Sequence, residues 1–108
     1  MARHTALVGT LTIASGDTDS NILTIPQGRL LVALIVVGPA ALTGTVGLQG
    51  NMDGGATTLP LAVANTAITV AANVINRTLI SGVQKVQMIS GGAEGDDRVA
   101  TVYAEFDL

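Results

Sequence analysis

The run Leu30–Val37, LLVALIVV, constrains this chain more than any other stretch: eight apolar residues without a break. Gln27-Gly28-Arg29 precedes it and Gly38-Pro39 closes it. A helix that crosses a bilayer takes about 20 apolar residues, and a buried helix usually takes at least about 10 to 12. A short, β-branched apolar run bounded by Gly and Pro fits instead a strand buried on both faces. The run is therefore expected to be a central strand, covered on each side by other parts of the molecule or by a neighbouring subunit.

The flanking chain alternates with the period of strands. In residues 5–13, TALVGTLTI, Leu7, Gly9, Leu11 and Ile13 fall on one face and Ala6, Val8, Thr10 and Thr12 on the other. The polar stretch Ser15–Ser20 ends that strand, and Asn21–Ile25 forms a second, short one before Pro26. Thr43–Gly50 alternates again and leads into Asn51-Met52-Asp53-Gly54-Gly55, a hairpin signal because Gly supplies the positive φ of tight turns. Thr57–Leu61 returns as its partner, with Pro60 marking a sheet edge.

Ala67–Ala71 is a further strand, and Asn73–Ile80, whose pattern is weakest, admits one helical turn. Val83–Ser90 and Arg98–Phe106 alternate across the glycine-rich, acidic loop Gly91–Asp97. About eight strands without an amphipathic helix predict an all-β protein: an antiparallel β-sandwich or jelly roll. Residues 1–108 are expected to form one such domain, with Met1–His4 as a mobile N-terminal arm.

Only 12% of the residues are charged, against about 25% in ordinary domains, while 48% are hydrophobic and 2% aromatic. A weakly charged, apolar-rich chain of this kind is expected to bury surface against partners. The net charge of −3 and the scattered Arg3, Arg29, Arg77, Lys85 and Arg98 argue against nucleic acid, which calls for clustered cations. Without cysteine there is no disulfide, thiolate nucleophile or thiolate metal site. No apolar segment of a secretory signal follows Met1–His4, so synthesis and folding in a cytoplasm are expected.

The candidate sites are weak. Asp17-Thr18-Asp19-Ser20-Asn21 imitates the start of a calcium loop, D-x-D-x-N, but Ile22 stands where the loop needs Gly and Gly28 where it needs Glu. An Asx-rich turn is the expected role. Glu94, Asp96 and Asp97 cluster before Arg98, and a solvated hairpin tip is expected there. Gly91-Gly92 lacks the spacing of a phosphate loop. His4 is the only histidine and has no positioned partner nearby in sequence. Asn76-Arg77-Thr78 is a glycosylation sequon of no weight without a secretory signal. No catalytic, cofactor-binding or metal-ligating residue is assigned, and an enzyme is not expected.

The order of features resembles that of small β-sandwich structural proteins of tailed-phage virions. The resemblance rests on Ser15-Gly16 with its polar turn, the apolar run ending at Pro39, Leu42–Leu48, Asp53–Gly55, the Gly82–Ser90 strand and the Arg98-led final strand. The aromatic residues usual in the hydrophobic and Asp-Gly segments of that family are missing here. The resemblance implies a non-enzymatic virion protein made in the host cytoplasm. A capsid decoration (cement) protein bound to the major capsid protein lattice is the preferred form, as a homo-oligomer, a trimer by preference. A neck, tail or fibre component and a carbohydrate- or receptor-binding sandwich are the alternatives. Neither a membrane nor nucleic acid is an expected partner.

Overall fold

The structure is a computed structural model and describes residues 3–26, 28–52, 58–63 and 65–107. These residues contain strands and turns and no helix. In chain order the strands are β1 (Arg3–Ile13), β2 (Asp19–Thr24), β3 (Leu30–Val37), β4 (Val46–Asn51), β5 (Leu59–Pro60), β6 (Ala62–Val63), β7 (Thr66–Ala67), β8 (Thr69–Val70), β9 (Ile75–Leu79), β10 (Lys85–Ser90) and β11 (Arg98–Asp107). Every pairing is antiparallel. The main sheet runs β5-β4-β10-β2-β1-β11-β3-β9, with β8 also on β4, and β6 and β7 make a separate ribbon. The sheet curls into a half-barrel, as expected of a β-sandwich or jelly-roll-like fold.

The curl has a definite place. β1 and β2 share one paired position, Ile13 with Ser20, whereas β1 and β11 pair from Arg3–Asp107 to Ile13–Arg98. The chain thus turns a corner at Ile13–Ser20. On one side lies the layer β9-β3-β11-β1, and on the other β2-β10-β4 with its short edge strands. Alternation sends Leu11, Ile13, Leu34, Val36, Ala100, Val102, Ala104 and Phe106 inward from the first layer. Val46, Leu48, Val86 and Met88 meet them from the second, and together they form one core. A register shift between Leu7 and Gly9 inserts Val8 as an extra residue, the local signature of a β-bulge.

Three expectations change, and one is met in part. Leu34 and Val36 on one face of β3 are buried, and the described chain covers Ile35 and Val37 on the other face of that strand only partly. The reason is its place next to the edge strand β9, in a layer with one face on the core. Residues 75–79 form that edge strand and no helical turn, because Asn73 adopts a left-handed φ of 58° that ends the turn before them. Asn73 fixes this bend by donating from its backbone N–H to the Pro39 carbonyl and from its side chain to that of Ala40. Arg3 and His4 are not an arm but the first residues of β1, opposite Asp107 and Phe106. The segment 67–71 divides at Ile68 between β7 and β8.

The β5 edge position expected from Pro60 is found. The Asp53–Gly55 hairpin lies outside the described residues. Gly38, just after β3, sits where a Cβ would fall 1.9 Å from the Ala71 carbonyl oxygen, so only Gly lets these two segments touch.

Leu34 is 1% exposed. Leu34→Asp is expected to cost several kcal/mol of a total stability of about 5–15 kcal/mol. Chemical denaturation should show the loss of the cooperative folded baseline, whereas Ile35→Thr on the outer face should leave it in place.

Candidate interaction surfaces

Three loops meet at the end of the sandwich where the chain turns its corner, and Glu94 joins them. Its carboxylate accepts from the backbone N–H groups of Thr43 (2.8 Å) and Gly44 (2.9 Å) and from the Ser90 hydroxyl (2.7 Å). Arg98 Nε completes the set at 3.0 Å. The backbone N–H of Glu94 donates to the Asp17 carbonyl, and the Glu94 carbonyl accepts from the Gly16 N–H. Gly44 has to be glycine, since a Cβ there would come 2.6 Å from the Ser90 hydroxyl oxygen.

Glu94 is 1% exposed, which corrects the expected solvated loop tip. Asp96 and Asp97 are indeed exposed, and Asp97 accepts from the Ser15 N–H. The backbone N–H groups of Thr43 and then Gly44, the Ser90 hydroxyl and the Arg98 guanidinium hold the Glu94 carboxyl down at about 2, against the opposing pull of burial. One faint sign of this is spacing: Ser90 and Arg98 stand four residues to either side of Glu94.

The residues of the calcium-like motif serve different neighbours. Asn21 accepts from the Thr12 N–H and donates to the Thr10 carbonyl, which ties β2 to β1. Asp19 accepts from the Thr18 hydroxyl, and the Asp17 N–H closes a turn onto the Ala14 carbonyl. Among the described residues, no group of three or more His, Asp or Glu side chains is placed to hold a metal ion. His4 lines a shallow apolar groove with Ala6, Pro26, Arg29 and Phe106. No described helix is long and apolar enough to cross a membrane.

The two outer faces differ in chemistry. On the β2-β10-β4 layer, the Thr58 hydroxyl lies 2.8 Å from Gln87 Oε1 and 3.1 Å from Gln49 Oε1, and the Gln87 amide donates to the Ser20 carbonyl. That face joins the polar side chains of Thr58, Gln49 and Gln87 to one another, beside an exposed Ile22. The β9-β3-β11-β1 layer instead shows Leu7, Ile75, Leu79 and Val99 exposed, with Ile35, Val37 and Tyr103 half-buried between them.

One charged group interrupts this apolar face. The Arg77 guanidinium reaches over β3 to hold both Glu105 oxygens, at 2.7 and 2.8 Å, and Arg3 joins Glu105 and Asp107 from β1. Glu105 is held below the usual carboxylate range, mainly by the hydrogen bonds from Arg77. Where this face ends, Arg3, Leu30–Val32, Leu79–Ser81 and Asp107 border a groove of about 500 Å³. Composition predicted an apolar contact surface; which face carries it depends on strand order, which no local pattern encodes.

No protein-family model matches the chain, and no curated protein matches it in sequence. Its fold is similar to that of a chain from Bacillus endospore appendages, described as disulfide-linked pili. That likeness has a TM-score of 0.52 and 16% identity, over 95% of this chain and 86% of the other. A chain of the cyanophage Pam1 capsid asymmetric unit gives a TM-score of 0.49 and 13% identity, over 96% and 83% of the two chains. The coat protein of Tobacco streak virus gives 0.48 and 8%, over 97% and 85%. At these identities the likeness is one of fold.

Two outcomes are expected. Because the folded-state pKa of Glu94 lies below its ordinary value of 4.5, its contribution is complete above about pH 4.5 and is lost as pH falls towards 2. Glu94→Gln should lower Tm at neutral pH by about 5 °C or more and flatten the acid limb of the Tm–pH curve. With Asp17, Asp19 and Asn21 occupied in turns and ladder contacts, chelation with EDTA is expected to leave Tm unchanged in a thermal-shift assay.

Proposed function

We propose that this chain is a non-enzymatic structural protein of a virion, and in particular a capsid decoration protein that binds the assembled head lattice. The observation that carries the reading is the outer face of the β9-β3-β11-β1 layer, apolar with its few charges paired to one another, while the other layer carries a Thr58–Gln49–Gln87 network. Such a face favours burial against a protein surface, where each 100 Å² of apolar area gives roughly 2.5 kcal/mol before ordering costs. The order of turn and strand motifs, which resembles that of tailed-phage sandwich proteins, supports the same role.

An appendage or fibre subunit is the second reading, favoured by the similarity in fold to the endospore pilus chain. Those pili are described as disulfide-linked, and this chain has no cysteine, so its own contacts would be non-covalent. A sugar-binding role is weaker. Stacking on a pyranose needs an open aromatic face; Phe106 is buried in the core and Tyr103 is half-buried on a sheet.

Mixing the purified protein with empty heads, unassembled capsid protein and tails decides between these readings. Occupancy on assembled heads alone is expected. It should change little between about 50 and 300 mM salt, since an apolar contact is not weakened by screening. Binding to tails or to itself in filaments, with none to heads, would transfer the protein to the second reading.

A further inference from the structure

The strand β9 ends its layer, and among the described residues no strand pairs with its outer side. The alternation of its ladder shows which backbone groups are left there. The Gly38 N–H donates to the Val74 carbonyl, and the Ile80 N–H donates to the Val32 carbonyl. In an antiparallel pair the bonded positions recur at every second residue, so 74, 76, 78 and 80 bond to β3. Ile75, Arg77 and Leu79 therefore direct their N–H and C=O groups outward, along a free edge.

Open edges of this kind are commonly guarded by a charge or a proline. The β9 sequence, Ile75-Asn76-Arg77-Thr78-Leu79, has no proline and a single charge, Arg77. That charge is drawn back across β3 onto both oxygens of Glu105 and away from the edge. Its neighbours on the same face, Ile75 and Leu79, are 68% and 64% exposed.

We propose that β9 is a docking edge for a second copy of this chain, paired antiparallel about a two-fold axis at Arg77. The strand is self-complementary in that register. Ile75 lies opposite the second copy's Leu79, and Asn76 opposite its Thr78. The outward N–H and C=O groups of Ile75, Arg77 and Leu79 find reciprocal partners, as an isologous contact requires. The two Arg77 side chains, directly opposed at the axis, keep their charges on Glu105 within each copy. The result joins two layers into one continuous sheet whose apolar outer face is doubled in width. It is a dimer, in place of the trimer implied by the resemblance to phage proteins, and it rests on the strand edge alone, whatever particle the chain serves.

Arg77→Cys tests the register. Residues opposed at a bonded antiparallel position lie about 5.5 Å apart at Cα, inside the disulfide range of about 4.4–6.8 Å. In a chain without native cysteine, this variant is expected to form a covalent dimer under mild oxidation, while Leu59→Cys on the opposite edge stays monomeric. Sedimentation of the unmodified protein should show a concentration-dependent dimer. Leu79→Pro removes only an outward N–H and is expected to abolish it. Leu79→Lys keeps every backbone group, places a charge on the edge and should do the same, which covers a failure of the proline variant to fold. A protein that stays monomeric up to about 0.5 mM would overturn the proposal. So would a dimer that survives Leu79→Lys, or crosslinking at residue 77 no greater than at residue 59.

Discussion

A buried carboxylate governs the end of this molecule at which its two layers join. The layers share one backbone pairing, Ile13 with Ser20, so the core and the loops must hold the rest of the angle between them. Glu94 supplies the polar part of that restraint. Its side chain gathers the loop before β4, and its main chain grips the turn between β1 and β2. An ionised group survives burial when it is paired and its lone pairs are filled, and Arg98, Ser90 and two backbone amides meet that condition. The glycine at position 44 and the serine at 90 are then consequences of where the carboxylate sits.

The core behind this clamp is built almost wholly from Leu, Ile, Val and Ala, with Phe106 as its aromatic member. Small branched side chains fill a thin interlayer space well, and they leave the chain with more apolar residues than that space can take. Part of the excess emerges on the outer face of the β9-β3-β11-β1 layer, between strands whose charges pair among themselves. Interior packing and the exposed apolar surface thus have a common origin in composition.

Much of the fold was legible in the residues. The alternation of Arg98–Phe106 and of Val83–Ser90 predicts strands whose inward members, such as Val102 and Met88, are fully buried. Leu30–Val37 is a strand with the predicted bounds, because its length and its Gly-Pro end leave no other structure. Its second face is half-covered by the chain itself. Ile35 and Val37 read the same whether a subunit or water covers them, and only the neighbouring strand order decides that. Ile75–Leu79 alternates as well, but with Asn, Arg and Thr at its centre the pattern is too polar to announce a strand. A glycine-rich acidic loop is usually solvated, which hides Glu94, and two of its partners, Thr43 and Gly44, lie about fifty residues away in sequence.

The pairing of β1 with β11, and of β11 with β3, has a bearing on how the chain comes into being. β1 and β3 both border β11 and do not pair with each other, so two early strands of that layer lack their common neighbour until residues 98–107 have left the ribosome. Contacts so distant along the chain form late and slowly. A nascent or truncated product would present the LLVALIVV strand bare on one side. Acquisition of β11 is therefore the step that closes this layer and removes an aggregation-prone open strand.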